Sequence, residues 1–319
     1  MTIADNLAKG SLENVFEVWS EHGLQFDRKP LGGRLSADAH TFVFCDLEDR
    51  AEVRGVMQGQ EVVFHLAATI GGRGYIDTHP ADCCHNFAVN HNVVKEAFMA
   101  GVERVAYASS ACVYPVSLQS QYGSTYLLKE EDAFADETAN CDKEYGWAKF
   151  MGELELQAYH RQYGLKCSIT RYVTAYGERE NDTHAIIALI RRAIGRRDPY
   201  VVWGTGEQDR DFTYGSDIVE GTLLACEKVT DGTPINLGTS VRHKIKDVAQ
   251  LILDLAGHRP KEIVFDTSKP EGVSTRALDV SRAKRLLGWE PKVSLEEGLR
   301  RVIEWYARVR PRSVETIVT

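Results

Sequence analysis

A chain of 319 residues, 43% hydrophobic and 26% charged, has enough apolar matter for one large core or two modest ones. Its formal net charge of −8 and pI near 5.7 argue against nucleic acid as a partner, because phosphate backbones call for a basic field. No apolar run approaches the roughly twenty residues of a membrane span, the first residues lack a secretory signal, and the seven cysteines show no paired spacing, so a reducing cytoplasm is expected.

Met1 to Ala4 reads as a strand and Asp5 as the acid that ends it. In dinucleotide-binding folds such an acid follows a GxGxxG turn by about twenty residues and binds the adenosine ribose. No GxGxxG occurs here; Gly204-Thr205-Gly206 lacks the third glycine and a following helix. Residues 12–41 are polar and mixed, are broken at Pro30-Leu31-Gly32-Gly33, and read as a surface excursion. Phe42 to Cys45 is a buried-type strand, after which Asp46 is placed to cap a helix over 47–57. Val62 to Ala68 is the next strand, and the small Ala67 and Ala68 at its end permit close approach of a dinucleotide backbone.

Ile70-Gly71-Gly72-Arg73-Gly74 has phosphate-loop composition but opens no well-formed helix in this reading. His79, Cys83, Cys84 and His85 resemble a metal cluster, but Pro80 follows the first and no second pair completes a zinc site, so no metal is expected. A helix over 86–100 then leads to the apolar strand Val105 to Ala108, which empties into Ser109-Ser110-Ala111-Cys112. Tyr145 and Lys149, four apart among helix formers, share one helical face. A hydroxyl at a strand end opposite a Tyr/Lys pair suits alcohol–ketone interconversion. Lys149 would lower the Tyr145 phenol pKa so that it acts as general base, with Ser110 bonding the reacting oxygen. A Tyr/Lys pair alone is common on exposed helices; the SSACVYP strand end is what turns it into a site.

The helix runs to Tyr163 and closes at Gly164, and Cys167 to Arg171 is another strand. Val201 to Trp203 and Ile263 to Phe265 are strands of a later part, with helices over 184–195, 245–256 and 281–287. Ser294-Leu295-Glu296-Glu297 is a capping box for the last helix. This alternation indicates an α/β doubly wound, Rossmann-like parallel sheet over 1–175, with substrate at its carboxyl edge. Residues 176–319 form a smaller substrate-binding α/β lobe, with some segments crossing back.

SSACVYP, YGWAK, WGTGEQDRDFTY and LGWEPKVSLEEGL resemble the extended short-chain dehydrogenase/reductases that act on nucleotide sugars. The resemblance runs from Ile3 to about Tyr306, and Cys112 with IGGRG makes it strongest to epimerases of GDP-linked sugars. It implies a nucleotide-diphosphate sugar as substrate, tightly held NAD as transient hydride acceptor, and a homodimer. It also implies that the chain starts at the family's second strand, with the first strand, glycine loop and first helix outside this numbering. On this likeness Asp5 binds ribose, Asp46 and Leu47 cup the adenine, and Ala67, Ala68, Tyr145, Lys149 and Tyr172 line the rest of the dinucleotide. Gly71, Gly72 and Arg73 become a sugar-side loop, Arg210 and Arg276 grip the diphosphate with Arg192 as a third candidate, and Trp203 borders the substrate. Thr174 and Glu178 stand where the family carries a substrate-touching Asn and a turn-setting Pro, so substrate handling differs in detail. Cys112 and a Lys form the resembling epimerases' acid–base pair on opposite faces of the sugar, and here His184 stands in the place of that Lys.

Two other readings stay open: a 4-epimerase that needs Ser110, Tyr145 and Lys149 but not Cys112, and a silent binding relative without NAD. The family's 4,6-dehydratases carry an Asp-Glu pair where Ala111-Cys112 stand, which disfavours that branch.

Overall fold

Short β-branched and aromatic runs alternate with amphipathic helices, and that rhythm sets the architecture. The computed structural model describes residues 1–28, 32–134, 141–180 and 183–309; Pro30 and Leu31 of the expected breaker lie outside them. The chain opens with β1 (Thr2–Asp5), α1 (Leu12–Glu21), β2 (Arg34–Ala37) and β3 (His40–Phe44). Strand β3 pairs in parallel with β1 and antiparallel with β2. The described residues of 12–41 are therefore not a surface excursion. Phe16 and Trp19, three apart on α1, pack with Phe26 at centroid distances of 5.3 and 5.4 Å and close over Leu35, Ala37 and Phe42.

Next come α2 (Arg50–Met57), β4 (Val62–His65), α3 (Arg73–Thr78), α4 (Pro80–Met99) and β5 (Arg104–Ser110). The cap of α2 is Asp49, whose carboxylate accepts from the N–H groups of Ala51 and Glu52; Asp46 instead accepts from Glu48 N–H at 2.9 Å. Helix α4 begins at Pro80, earlier than expected, because proline's fixed φ suits a first helical turn. The glycine loop also differs from expectation: Gly72 opens the six-residue α3.

The chain continues through α5 (Lys143–Tyr163), β6 (Lys166–Tyr172), β7 (Thr174–Tyr176), α6 (Ala185–Ile194), β8 (Tyr200–Trp203), β9 (Asp209–Arg210) and β10 (Phe212–Tyr214). It ends with α7 (Gly215–Lys228), β11 (Asp231–Leu237), β12 (His243–Lys244), α8 (Ile245–Leu255), β13 (Ile263–Asp266), α9 (Ser281–Leu287) and α10 (Leu295–Val309). A parallel sheet of order β11-β6-β5-β4 carries the site. Val53, Val93, Val105, Tyr107, Leu156 and Ile169 fill the layer between this sheet and α2, α4 and α5. Each such buried side chain contributes roughly 1.5–3 kcal/mol. Helices α7 and α9 cover the other side through Ile218, Leu237 and Trp289. A separate core gathers α6, α8, α10 and β8 around Ile187, Ile190, Val202, Ile252 and Val302.

Among the described residues no ladder joins β1 to β4; nearby, Gln60, just before β4, donates to Thr2 Oγ1 at 3.5 Å, and Lys9, after β1, lies 3.9 Å from the ring centroid of Tyr75 on α3. Among the described residues no helix is long and apolar enough to cross a membrane.

Candidate active site

Strand β5 delivers Ser110 and stops there, because the chain tightens into a 3-10 turn over Ala111–Val113. Ser110 Oγ caps this turn by accepting from Cys112 N–H at 3.1 Å. Helix α5 starts directly above it. A Cβ on Gly146 would overlap the Cys112 carbonyl, so only glycine permits this approach, and Asp142 N–H donates to that same carbonyl at 2.8 Å. Tyr145 is thereby brought to the same cavity as Ser110.

Both members of the Tyr/Lys pair are buried on α5, as its spacing requires. Their electrostatics depart from expectation. Lys149 Nζ donates to Ala108 O at 2.8 Å and lies 5.8 Å from the Tyr145 ring centroid. Burial pushes the Lys149 ammonium down to about 8, while burial and the nearby Cys112 push the phenol well up against the opposing influence of Ser110.

Cys112 is buried, and its sulfur accepts from Arg276 Nη1 at 3.3 Å. Arg276 Nη2 reaches Asp142 Oδ2 at 2.7 Å, and Arg73 Nη1 reaches Asp142 Oδ1 at 2.7 Å. Burial opposes ionisation of Asp142, but Arg276 and Arg73 outweigh it and hold the carboxyl down at about 2. Arg73 and Arg276, expected on the substrate, are thus engaged with protein acids, and Arg73 binds Asp77 as well. Asp142 was not singled out in the sequence, although an acid three residues before the tyrosine at a helix start was a visible signal.

Arg192 and Arg210 are different. Arg192 donates to Val201 O at 3.1 Å, and Arg210 to the carbonyls of Asp209 and Glu271 at 2.6 and 2.9 Å. Neither forms a salt bridge among the described residues. Burial lowers both guanidiniums, Arg210 to about 10 with Arg276 adding to the effect. Two desolvated cations bonded to carbonyls suit an anion.

His184 occupies the N-cap position of α6 without capping it, since its Nδ1 is bonded to Glu180 Oε1. Glu180 was also missed in the sequence. Gly72 permits a close chain–chain approach: a Cβ there would overlap Thr183 O, immediately before His184.

Every residue expected to be catalytic except Lys149, and every one expected to touch substrate, lines a single cavity of about 370 Å³. That volume falls within the ~300–1,000 Å³ of small-molecule sites. Of the expected dinucleotide residues, Tyr145 and Tyr172 also line it, whereas Asp5, Asp46, Leu47, Ala67 and Ala68 do not. Asp5 ends β1 and Asp46 lies just beyond β3; Asp5 Oδ1 accepts Leu7 N–H at 2.6 Å, and Leu47 packs against the helix–sheet core. Ser110, Tyr145, Lys149 and Tyr172 fit the nicotinamide end of a dinucleotide, and the two acids fit its ribose and adenine end. The HPADCCH residues disperse: His79 stacks on Tyr75, Cys83 is buried, Cys84 is exposed and His85 pairs with Glu48. No metal-binding group of three forms among the described residues.

A parallel sheet whose strand end presents Ser110 to a buried Tyr/Lys helix defines a Rossmann-like oxidoreductase or epimerase architecture. The NAD dependent epimerase/dehydratase family model matches residues 13–238, and the chain belongs to that family. It is 32% identical to the GDP-mannose 3,5-epimerase of Arabidopsis thaliana over 274 residues, covering 82% of this chain and 71% of the relative. It is 31% identical to the GDP-L-fucose synthase of Sinorhizobium fredii over 270 residues, covering 81% of this chain and 83% of the relative. The crystal structure of UDP-glucose 4-epimerase from Thermotoga maritima superposes with a TM-score of 0.79 at 26% identity, covering 96% of this chain and 90% of that one.

Proposed function

We propose that this protein is an NAD-dependent epimerase of a nucleotide-diphosphate sugar, with a GDP-linked sugar such as GDP-mannose favoured. One observation carries the reading. A single cavity holds the hydroxyls of Ser110 and Tyr145, the thiol of Cys112, the imidazole of His184, and the guanidiniums of Arg192 and Arg210, which form no salt bridge among the described residues. The two arginines suit a diphosphate, and the remaining groups suit proton traffic at a sugar ring. The names of the relatives support the guanosine base.

Asp5, Asp46, Lys149 and Tyr172 would hold NAD, which supplies a hydride acceptor and donor when bound. Ser110 accepts or donates a hydrogen bond at the reacting sugar oxygen, and Tyr145 takes and later returns the hydroxyl proton. A carbonyl at that carbon acidifies the C–H bonds beside it. Cys112 and His184 then remove and restore a proton at such a carbon, on opposite faces, which inverts the centre.

Incubation with NAD and GDP-mannose in D2O, followed by NMR of the sugar, tests the reading. Deuterium is expected at a carbon adjacent to the transient ketone, together with a new epimer. A new epimer without deuterium would mean a 4-epimerase that does not use Cys112. Neither product nor bound dinucleotide would mean a silent binding relative.

A further inference from the structure

We propose that Glu180 is a positioning residue that fixes the ring of His184, so that Nε2 is the nitrogen offered to the cavity. The proposal builds on the acid–base role of His184 proposed above. Glu180 Oε1 is bonded to His184 Nδ1, and the two side chains are 14% and 31% exposed respectively. They lie four residues apart, yet α6 begins only at Ala185, so helix geometry does not create the pair.

The loop itself is pinned from outside. Arg179, at φ +66°, binds Glu17 and Glu21 of α1 at 3.0 and 2.8 Å, and Asn14 donates to Arg179 O at 3.4 Å. Tyr306 of α10 donates to Glu180 O at 3.4 Å. These contacts anchor Arg179 and Glu180 to α1 and α10, and Glu180 lines the same cavity as His184.

Two further observations separate this arrangement from an ordinary surface pair. His184 stands at a helix N-cap but makes no capping bond, so its ring is withheld from the usual structural use of that position. Glu180 Oε2 is buried and has no hydrogen-bond partner among the described residues. Burial raises the Glu180 carboxyl, and its bond to His184 is the largest influence in the other direction. The charged form is thus held mainly by His184 itself. An ionised Glu180 requires N–H at Nδ1, which leaves the Nε2 lone pair free to accept a proton from carbon; protonated there, the ring can return it. A carboxylate behind an imidazole does the same in other acid–base sites.

The test uses 15N-histidine-labelled full-length protein. The neutral ring of His184 is expected to show the Nδ1-protonated tautomer, assigned by comparison with His184→Ala. In Glu180→Gln the amide can donate to Nδ1, and the signal should move toward the Nε2-protonated form, while Glu180→Asp keeps the original tautomer. Solvent deuterium incorporation should fall about a hundredfold in kcat for Glu180→Gln with KM within about twofold, and Glu180→Asp should recover a large part. An Nε2-protonated ring in the unsubstituted protein would overturn the proposal without any variant. So would a Glu180→Gln protein with unchanged tautomer and unchanged exchange. If the protein proves inactive on sugar nucleotides, the tautomer still decides whether Glu180 sets the ring, so the two readings fail separately.

Discussion

Arg276 divides its guanidinium between Cys112 and Asp142, with Nη1 3.3 Å from the sulfur and Nη2 2.7 Å from the carboxylate. Asp142 in turn binds the Cys112 carbonyl through its own N–H at 2.8 Å. The cysteine is therefore held at both its main chain and its side chain by one buried ion pair. Because Asp142 also precedes the first turn of α5, the same pair sets the height of Tyr145 over Ser110.

Replacing Asp142 by Asn should be costly. Removing one partner of a buried pair leaves Arg276 without its acid and Arg73 with Asp77 alone, and about 3–5 kcal/mol of stability is expected to go. The pH dependence has a definite sign. The folded carboxyl sits at about 2, below its ordinary 3.8, so its stabilisation is present above the ordinary value and is lost as pH falls toward 2. Urea unfolding at pH 7, 4 and 2 should show the gap between the two proteins narrowing by about 2 kcal/mol at the acid end.

Lys149 should act with the same sign in a higher pH window, although here the charged form is the one the fold disfavours. Burial lowers its ammonium to about 8 from 10.5, so the folded state sheds its proton before the unfolded chain does. Stability should rise between pH 8 and 10.5 by up to about 3 kcal/mol, and Lys149→Met should abolish that rise. Turnover of Lys149→Met and of Tyr145→Phe should fall by about a hundredfold or more. Wild-type turnover in both would place the chemistry elsewhere.

Cys112→Ser and His184→Ala should each lower solvent deuterium incorporation by about a hundredfold or more while NAD binding persists. Mass spectrometry of the recovered sugar nucleotide measures this directly. Full exchange in both variants would leave only the 4-epimerase reading.

Arg192→Met and Arg210→Met should separate ligand binding from folding. Each should weaken GDP binding about ten- to a hundredfold in calorimetry, because a charge-assisted contact to phosphate is lost. Thermal stability without ligand should stay level or improve, since a desolvated cation lacking an acid partner has been removed. Unchanged GDP affinity in both would disconnect these arginines from the diphosphate.

Where the signal was local, it could be read from the chain alone. The Tyr145/Lys149 helix closes at Gly164, which adopts φ +74°, and the strand ending at Ser110 stops where its apolar run stops. Helical period and strand burial act over a few residues and leave their mark in order. Residues 12–41 concealed their core because Phe16 and Trp19 become buried only once β2 and β3 pair beneath them. The charged residues were least legible. Arg73 read as a sugar-side residue and Arg276 as a phosphate ligand, yet Asp142 binds both, and Arg276 lies far beyond it in sequence. The Lys149 ammonium was expected to serve the phenol, but it bonds to a main-chain oxygen of β5 and loses affinity for its proton through burial. The residue types and their local order were determined by the sequence. The partner of each charge and the sign of each shift were decided by tertiary packing, because desolvation and Coulomb energy depend on neighbours that only the folded chain brings together.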